Sequence, residues 1–197
     1  MVLTSSRQPE AGARLSDADR ACLLDVARQA IAQALGRGEP ASLDAQDYPV
    51  SLRVPRASFV TLHYQDQLRG CIGSLEAQRP LVEDVAHNAC AAAFHDPRFT
   101  PLTAAELEGL SIHIAVLQTA QPLQFKSEPE LRAQLQPGVD GVILEAGHHR
   151  ATFLPAVWES LPEPKDFLEQ LKRKAGLTGN YWSNDVRAWR YRTESFP

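Results

Sequence analysis

The sequence predicts an α+β fold of mostly antiparallel sheets flanked by helices, and three observations carry that expectation. Strand-like and helix-like runs are mixed without the regular strand–helix–strand alternation that a parallel sheet needs. Two pairs of alternating segments are joined by short polar stretches, which is the pattern of hairpins. The helical runs carry their own punctuation, with capping residues ahead and glycine behind. At 197 residues, 44% hydrophobic and 22% charged, the chain is long enough for one core or two.

The first fifteen residues, opening MVLTSSRQPEAGAR, read as a flexible polar tail, with the folded domain expected over 16–197. Ser16 with Asp19 opens a helix that Gly36 and Gly38 close. Its positions Leu23, Val26, Ala27, Ala30, Ile31 and Ala34 recur at helical spacing, with Cys22 among them as a core residue. Three prolines between residues 37 and 57 mark an extended connection, with a short edge strand at 50–54. FVTLHY (59–64) alternates, turns at Gln65–Gln67 and returns through LRGCIGSL as a hairpin. Pro80 starts the helix LVEDVAHNACAAAF, whose wetter side carries Glu83, Asp84, His87 and Asn88. HDPRFTP breaks it, and Thr103 with Glu106 is a capping box for a short helix ending near Gly109. SIHIAVLQ (111–118) alternates as a strand.

The second half has a similar rhythm without a residue-level repeat. Ser127 and Glu130 form another capping box, and Pro137-Gly138 ends that helix. GVILE (141–145) and RATFL (150–154) form a hairpin across AGHH. A helix runs from Pro164 to Gly176 with Phe167, Leu168, Leu171 and Ala175 on one side. VRAWRY (186–191) alternates as a final strand, with Trp189 in the core.

Composition narrows the function classes. A net charge of −4 and a pI of about 5.9 argue against a general nucleic-acid binder. No apolar run approaches the roughly 20 residues of a membrane span, so no membrane partner is expected. The N-terminus has no apolar signal core, which points to the cytoplasm. Cys22, Cys71 and Cys90 are odd in number and lack CxxC spacing, which fits a reducing compartment and excludes a disulfide framework.

LRGCIGSL, HDPRFTPLTAAEL, GVDGVILEAGHHRATFLPAVWE, FLEQLKRKAGL and YWSNDVRAWRY follow one another in an order that resembles the AMMECR family. Its bacterial members belong to the AmmeMemoRadiSam system. The resemblance runs from about residue 16 to 197. It implies an α+β protein with two unequal lobes around antiparallel sheets. It also implies a pathway shared with a Memo-like protein and a radical SAM protein, on the associational ground of genomic grouping. It implies no reaction. His148 and His149 depart from the small or glycine residues expected there, so no role is carried to them.

The chemistry centres on LRGCIG. On a regular strand Arg69 and Cys71 share a face, their backbones roughly 6.5–7 Å apart. A guanidinium that near favours the thiolate, the nucleophilic form of cysteine. Gly70 and Gly73 leave the backbone open to a ligand, so Cys71 as nucleophile with Arg69 beside it makes an anion or carbonyl site. The alternative reading is packing: glycines admit a helix close to the sheet, Cys71 fills a small apolar gap, and Arg69 pairs with an acid such as Asp96. A nucleophile needs a base, and His87 and His95 are the nearest in sequence, with His63 a third. Asp96 and Arg98 flank a proline turn that is either a binding surface or a loop stapled by its own ion pair over a docked Phe99.

Other motifs are weaker. His148 and His149 sit on a hairpin tip, and neighbours on a strand point to opposite faces, which disfavours a shared metal. No HExxH, GxGxxG or GxxxxGK[ST] occurs, so neither metal nor cofactor is expected. Residues 165–197 carry seven lysines and arginines against four acids, beside Tyr181, Trp182, Trp189 and Tyr191. Helix-end lysines also complement the helix dipole, and a nucleic-acid surface is the lesser reading there. Two functions follow: an accessory or scaffold protein, or an enzyme using Cys71 as a thiol nucleophile on a small substrate.

Overall fold

A computed structural model describes residues 14–37 and 43–197. Residues 1–13 of the tail expected over 1–15, and Gly38 as a helix stop, lie outside them; Leu15 is described and is buried. The element order is α1 (Asp17–Arg37), α2 (Val50–Arg53), β1 (Ser58–Tyr64), β2 (Gln67–Gly73), α3 (Leu81–Phe94), β3 (Leu110–Leu117), β4 (Gln121–Pro122), α4 (Glu128–Gln134), β5 (Gly141–Ala146), β6 (His149–Phe153), α5 (Pro164–Lys174), β7 (Arg187–Tyr191) and β8 (Thr193–Phe196). These form two four-stranded sheets, ordered β2-β1-β3-β8 and β4-β7-β5-β6. The fold is α+β, and the chain divides into two compact units. One comprises the described residues up to Leu117 with Glu194–Pro197, the other Gln118–Thr193.

In the first unit, Ser16 stands just ahead of α1. Its hydroxyl accepts the Asp19 N–H at 3.1 Å while the Asp19 carboxylate accepts the Ser16 N–H at 3.1 Å, so two orphan donors of α1 are satisfied reciprocally. The helix buries Leu23, Ala27 and Ile31, whose spacing keeps them on one stripe. Val60, Leu62, Ile112, Ile114 and Val116 alternate on one face of the first sheet and share a core with α1 and α3. Cys22 is only partly buried at its margin.

Residues 50–54 were expected as an edge strand, and the structure has α2 there instead. Pro49 at the N-cap needs no N–H, Leu52 is fully buried, and the Arg53 side chain donates to the Tyr48 carbonyl at 2.7 Å. One apolar anchor and one side-chain bond suffice for a single turn, a length at which no period is visible.

In the second unit β5 and β6 pair across a two-residue turn in which Gly147 takes φ 61°. That positive angle suits the twist of the strands and costs glycine nothing. Trp158 stacks on Phe167 with ring centroids 3.8 Å apart, and its indole N–H donates to the Asp140 carbonyl at 2.7 Å. Lys172, with 1% of its side chain exposed, pairs with Glu128 at 3.0 Å and donates to the Tyr181 carbonyl at 3.2 Å. That burial is tolerated because the ammonium has both a counter-charge and a carbonyl. Trp189 is half-buried rather than enclosed.

Candidate functional site

The LRGCIG segment is β2, an edge strand of the first sheet. Its register against β1 is Thr61 with Cys71 and Leu62 with Gly70, then His63 with Leu68, so Arg69 is the extra residue of a β-bulge. The regular alternation expected of Arg69 and Cys71 is therefore broken. The bulge aims the Arg69 side chain at the loop after α3. Its Nε meets Glu106 Oε1 at 2.6 Å and its Nη2 meets Oε2 at 3.2 Å. Its Nη1 donates to the Thr100 carbonyl at 2.9 Å and its Nη2 to the Pro101 carbonyl at 3.3 Å. The partner of Arg69 is thus Glu106, not Asp96. Glu106 also accepts the N–H and hydroxyl of Thr103 at 2.8 and 2.9 Å. The Arg69 guanidinium holds the Glu106 carboxyl down at about 2.

Asp96 and Arg98 attend to the backbone of Cys71. The outward N–H of an edge strand has no neighbouring strand, and Asp96 Oδ2 accepts the Cys71 N–H at 2.9 Å. Arg98 closes a fork on the same carboxylate, with Nη2 to Oδ2 at 2.7 Å and Nε to Oδ1 at 2.9 Å. Its Nη2 also donates to the Cys71 carbonyl at 3.3 Å. The loop thereby stands in for a missing strand over one residue. The Asp96 side chain is 2% exposed. Arg98 holds its carboxyl well below the usual range, against the opposing effect of burial. Phe99 is half-buried, with the Arg98 guanidinium 5.4 Å from its ring.

The two glycines face protein. A side chain on Gly70 would overlap the Ala92 carbonyl of α3, and one on Gly73 would overlap the Phe59 ring. Just beyond, Ser74 donates its hydroxyl to Asp84 at 2.8 Å. Asp84, buried on α3, also accepts the Ser58 N–H at 2.8 Å and the Asn88 amide at 2.9 Å. Both legs of the hairpin are so tied, at its open end, to one carboxylate.

Because Gly70 faces α3, the Cys71 side chain projects from the other face of the sheet. There it is half-buried and accepts a hydrogen bond from the Thr61 hydroxyl, Oγ1 to Sγ 3.3 Å. Thr61 is also paired in register with His113 on β3, so Cys71, Thr61 and His113 form one row across three strands. His113 stacks edge-on against His63 with centroids 5.3 Å apart, and its Nε2 is 3.4 Å from the Ser111 hydroxyl. Thr61 and His113 were not singled out from the sequence. The alternation of FVTLHY and SIHIAVLQ puts each on the polar face of its strand, but only the register places them beside Cys71.

The histidines expected nearest lie elsewhere. His87 is exposed on α3 and lines a cavity of about 390 Å³ with Arg79, Glu83 and Tyr48, and burial and Arg79 lower its pKa. His95 is exposed at the end of α3, where its backbone N–H donates to the Ala91 carbonyl at 2.8 Å. No hydrogen bond joins either to Cys71 among the described residues. Burial pushes the Cys90 thiol up to about 11, which makes it inert at neutral pH. Among the described residues no three His, Cys, Asp or Glu side chains are grouped to hold a metal. No helix is long and apolar enough to cross a membrane among them.

A family model described as AMMECR1 matches residues 24–196. A protein of Thermofilum pendens is 34% identical, over 93% of this chain and 91% of its own length. One from Methanothermobacter thermautotrophicus is also 34% identical, over 93% and 96%. The crystal structure of an uncharacterized protein from Pyrococcus horikoshii superposes with a TM-score of 0.78 at 30% identity, covering 88% of each chain.

Proposed function

Because the chain belongs to the AMMECR1 family, we propose that it is an accessory protein that binds partners rather than transforming a substrate. The partners are a Memo-like protein and a radical SAM protein, as the grouping of the AmmeMemoRadiSam system implies. One observation carries this reading. The charges of the signature are all engaged inside the first unit, Arg69 with Glu106 and Asp96 with Arg98, and both pairs hold the loop 95–106 on the edge strand β2. Charges so committed shape a surface; they are not poised to move protons. The test is co-purification of the tagged full chain with its own organism's Memo-like and radical SAM proteins. A complex with either one, retained in a Cys71→Ser variant, supports the reading. Failure with both overturns it.

A second reading, thiol chemistry at Cys71, is favoured by the Thr61 hydroxyl aimed at the sulfur on the face that carries His113. Iodoacetamide labelling of the native protein across pH separates the two. Faster alkylation of Cys71 than of a free thiol, slowed in Thr61→Val, supports a nucleophile; alkylation only after unfolding removes it.

A further inference from the structure

Arg190 and Arg192 belong to the basic C-terminal run, and within the second unit they meet at one cleft. Gln121 on β4 stands opposite Arg190 on β7, and the Gln118 N–H donates to the Arg192 carbonyl at 2.8 Å. Those two backbone pairings set Gln118, Thr119 and Gln121 against Arg190, Tyr191 and Arg192 around a cavity of about 260 Å³. The lining comprises two arginines, two glutamines, Thr119 and Tyr191, with no acidic residue among the described ones. Arg192 is oriented from behind. Its Nη2 donates to Gln136 Oε1 at 3.2 Å, and its Nε lies 3.9 Å from Oδ1 of the buried Asp140. Arg190 is half-buried, yet its side chain has neither ion pair nor hydrogen bond among the described residues, the strand pairings being made by its backbone. A guanidinium partly withdrawn from water without a counter-charge costs free energy that an arriving anion offsets.

We propose that this cleft binds a compact anionic group, the phosphate or carboxylate of a small molecule. Arg190 is the principal contact, with Arg192, Gln118 and Gln121 around it. The planar fork of arginine matches two oxygens of either group. The volume lies just under the ~300 Å³ at which ligand pockets usually begin, so the cleft takes a fragment-sized ligand rather than a polymer. The cleft does not depend on the accessory role, and each can fail alone.

The experiment is calorimetric titration of the full chain with inorganic phosphate and, separately, with succinate, at constant ionic strength. Saturable one-to-one binding of at least one is expected, at about millimolar affinity or tighter. Phosphate alone identifies a phosphoryl group, and succinate alone a carboxylate. Arg190→Gln weakens binding by roughly tenfold or more, as loss of a charge-assisted contact should. Arg187→Gln, exposed at the other end of β7, leaves it unchanged. No saturable binding of either anion, or equal binding by Arg190→Gln, overturns the proposal. Should Arg190→Gln not fold, amide NMR shifts of the unaltered chain decide. Shifts centred on 118–121 and 190–192 support the cleft, and shifts elsewhere or nowhere overturn it.

Discussion

Asp96 acts on stability through its charge, because both of its oxygens are engaged by Arg98 and one also takes the Cys71 N–H. Asp96→Asn keeps the size and removes the charge, and should cost about 2 kcal/mol, the scale of a charged hydrogen bond. Urea unfolding followed by circular dichroism measures it, and a cost near zero would make the clamp ornamental. Asp96 and Glu106 both titrate below their ordinary values of 3.8 and 4.5. As pH falls the unfolded chain therefore takes up protons first. Their stabilisation is complete above about pH 5 and is lost as pH falls toward about 2, where Glu106 itself protonates in the folded state. The urea midpoint should drop between about pH 6 and about pH 3, less steeply in Glu106→Gln; an equal drop there would assign the effect elsewhere. Gly70→Ala tests the close approach of α3. Its methyl group meets a backbone carbonyl that has no room to move, so a loss of about 3 kcal/mol is expected.

At the level of elements, the β1–β2 hairpin turns on Gln65 and Asp66 at φ 52° and 59°, a pair of left-handed positions without glycine. Asp66→Gly relieves one of them and should stabilise the fold by about 0.5–1 kcal/mol, visible as a Tm increase of a few degrees. A fall in Tm would mean that the Asp66 side chain holds the turn. The hairpin itself was legible in the sequence, because FVTLHY and the return strand alternate and the turn is polar. The bulge was not: one extra residue leaves no trace in composition, and it is what separates Arg69 from Cys71. The helices α1, α3 and α5 were legible from periodicity and caps. The turn α2 and the short strands β4 and β8 were not, since two to four residues are too few for a period and their partners lie far away in sequence. The same limit explains the site. Glu106 was read as a capping residue, which it is, but its pairing with Arg69 spans 37 positions and is set by tertiary structure alone. His113 belongs with Thr61 only through strand register.

At the level of the whole molecule, the last residues complete the first unit. Phe196 joins its core, and Glu194 accepts the Leu15 N–H at 3.2 Å and pairs with Arg20 at 2.7 Å. Deleting 194–197 should therefore destabilise the first unit by about 3 kcal/mol or more, from the lost aromatic alone. Hydrogen exchange would show lower protection in β1 and β3 while β5 and α5 keep theirs; uniform loss would argue for one cooperative unit. The strand order places β8 next to β3, although the whole second unit separates them in the chain. The Gln118–Arg192 hydrogen bond marks where that excursion begins and ends. A segment whose two ends meet can be lengthened, shortened or exchanged in a gene without rethreading the sheet that hosts it. Such a layout lets one half of a protein vary its loops and ligands through descent while the other half, with its cysteine and its clamp, stays as it was.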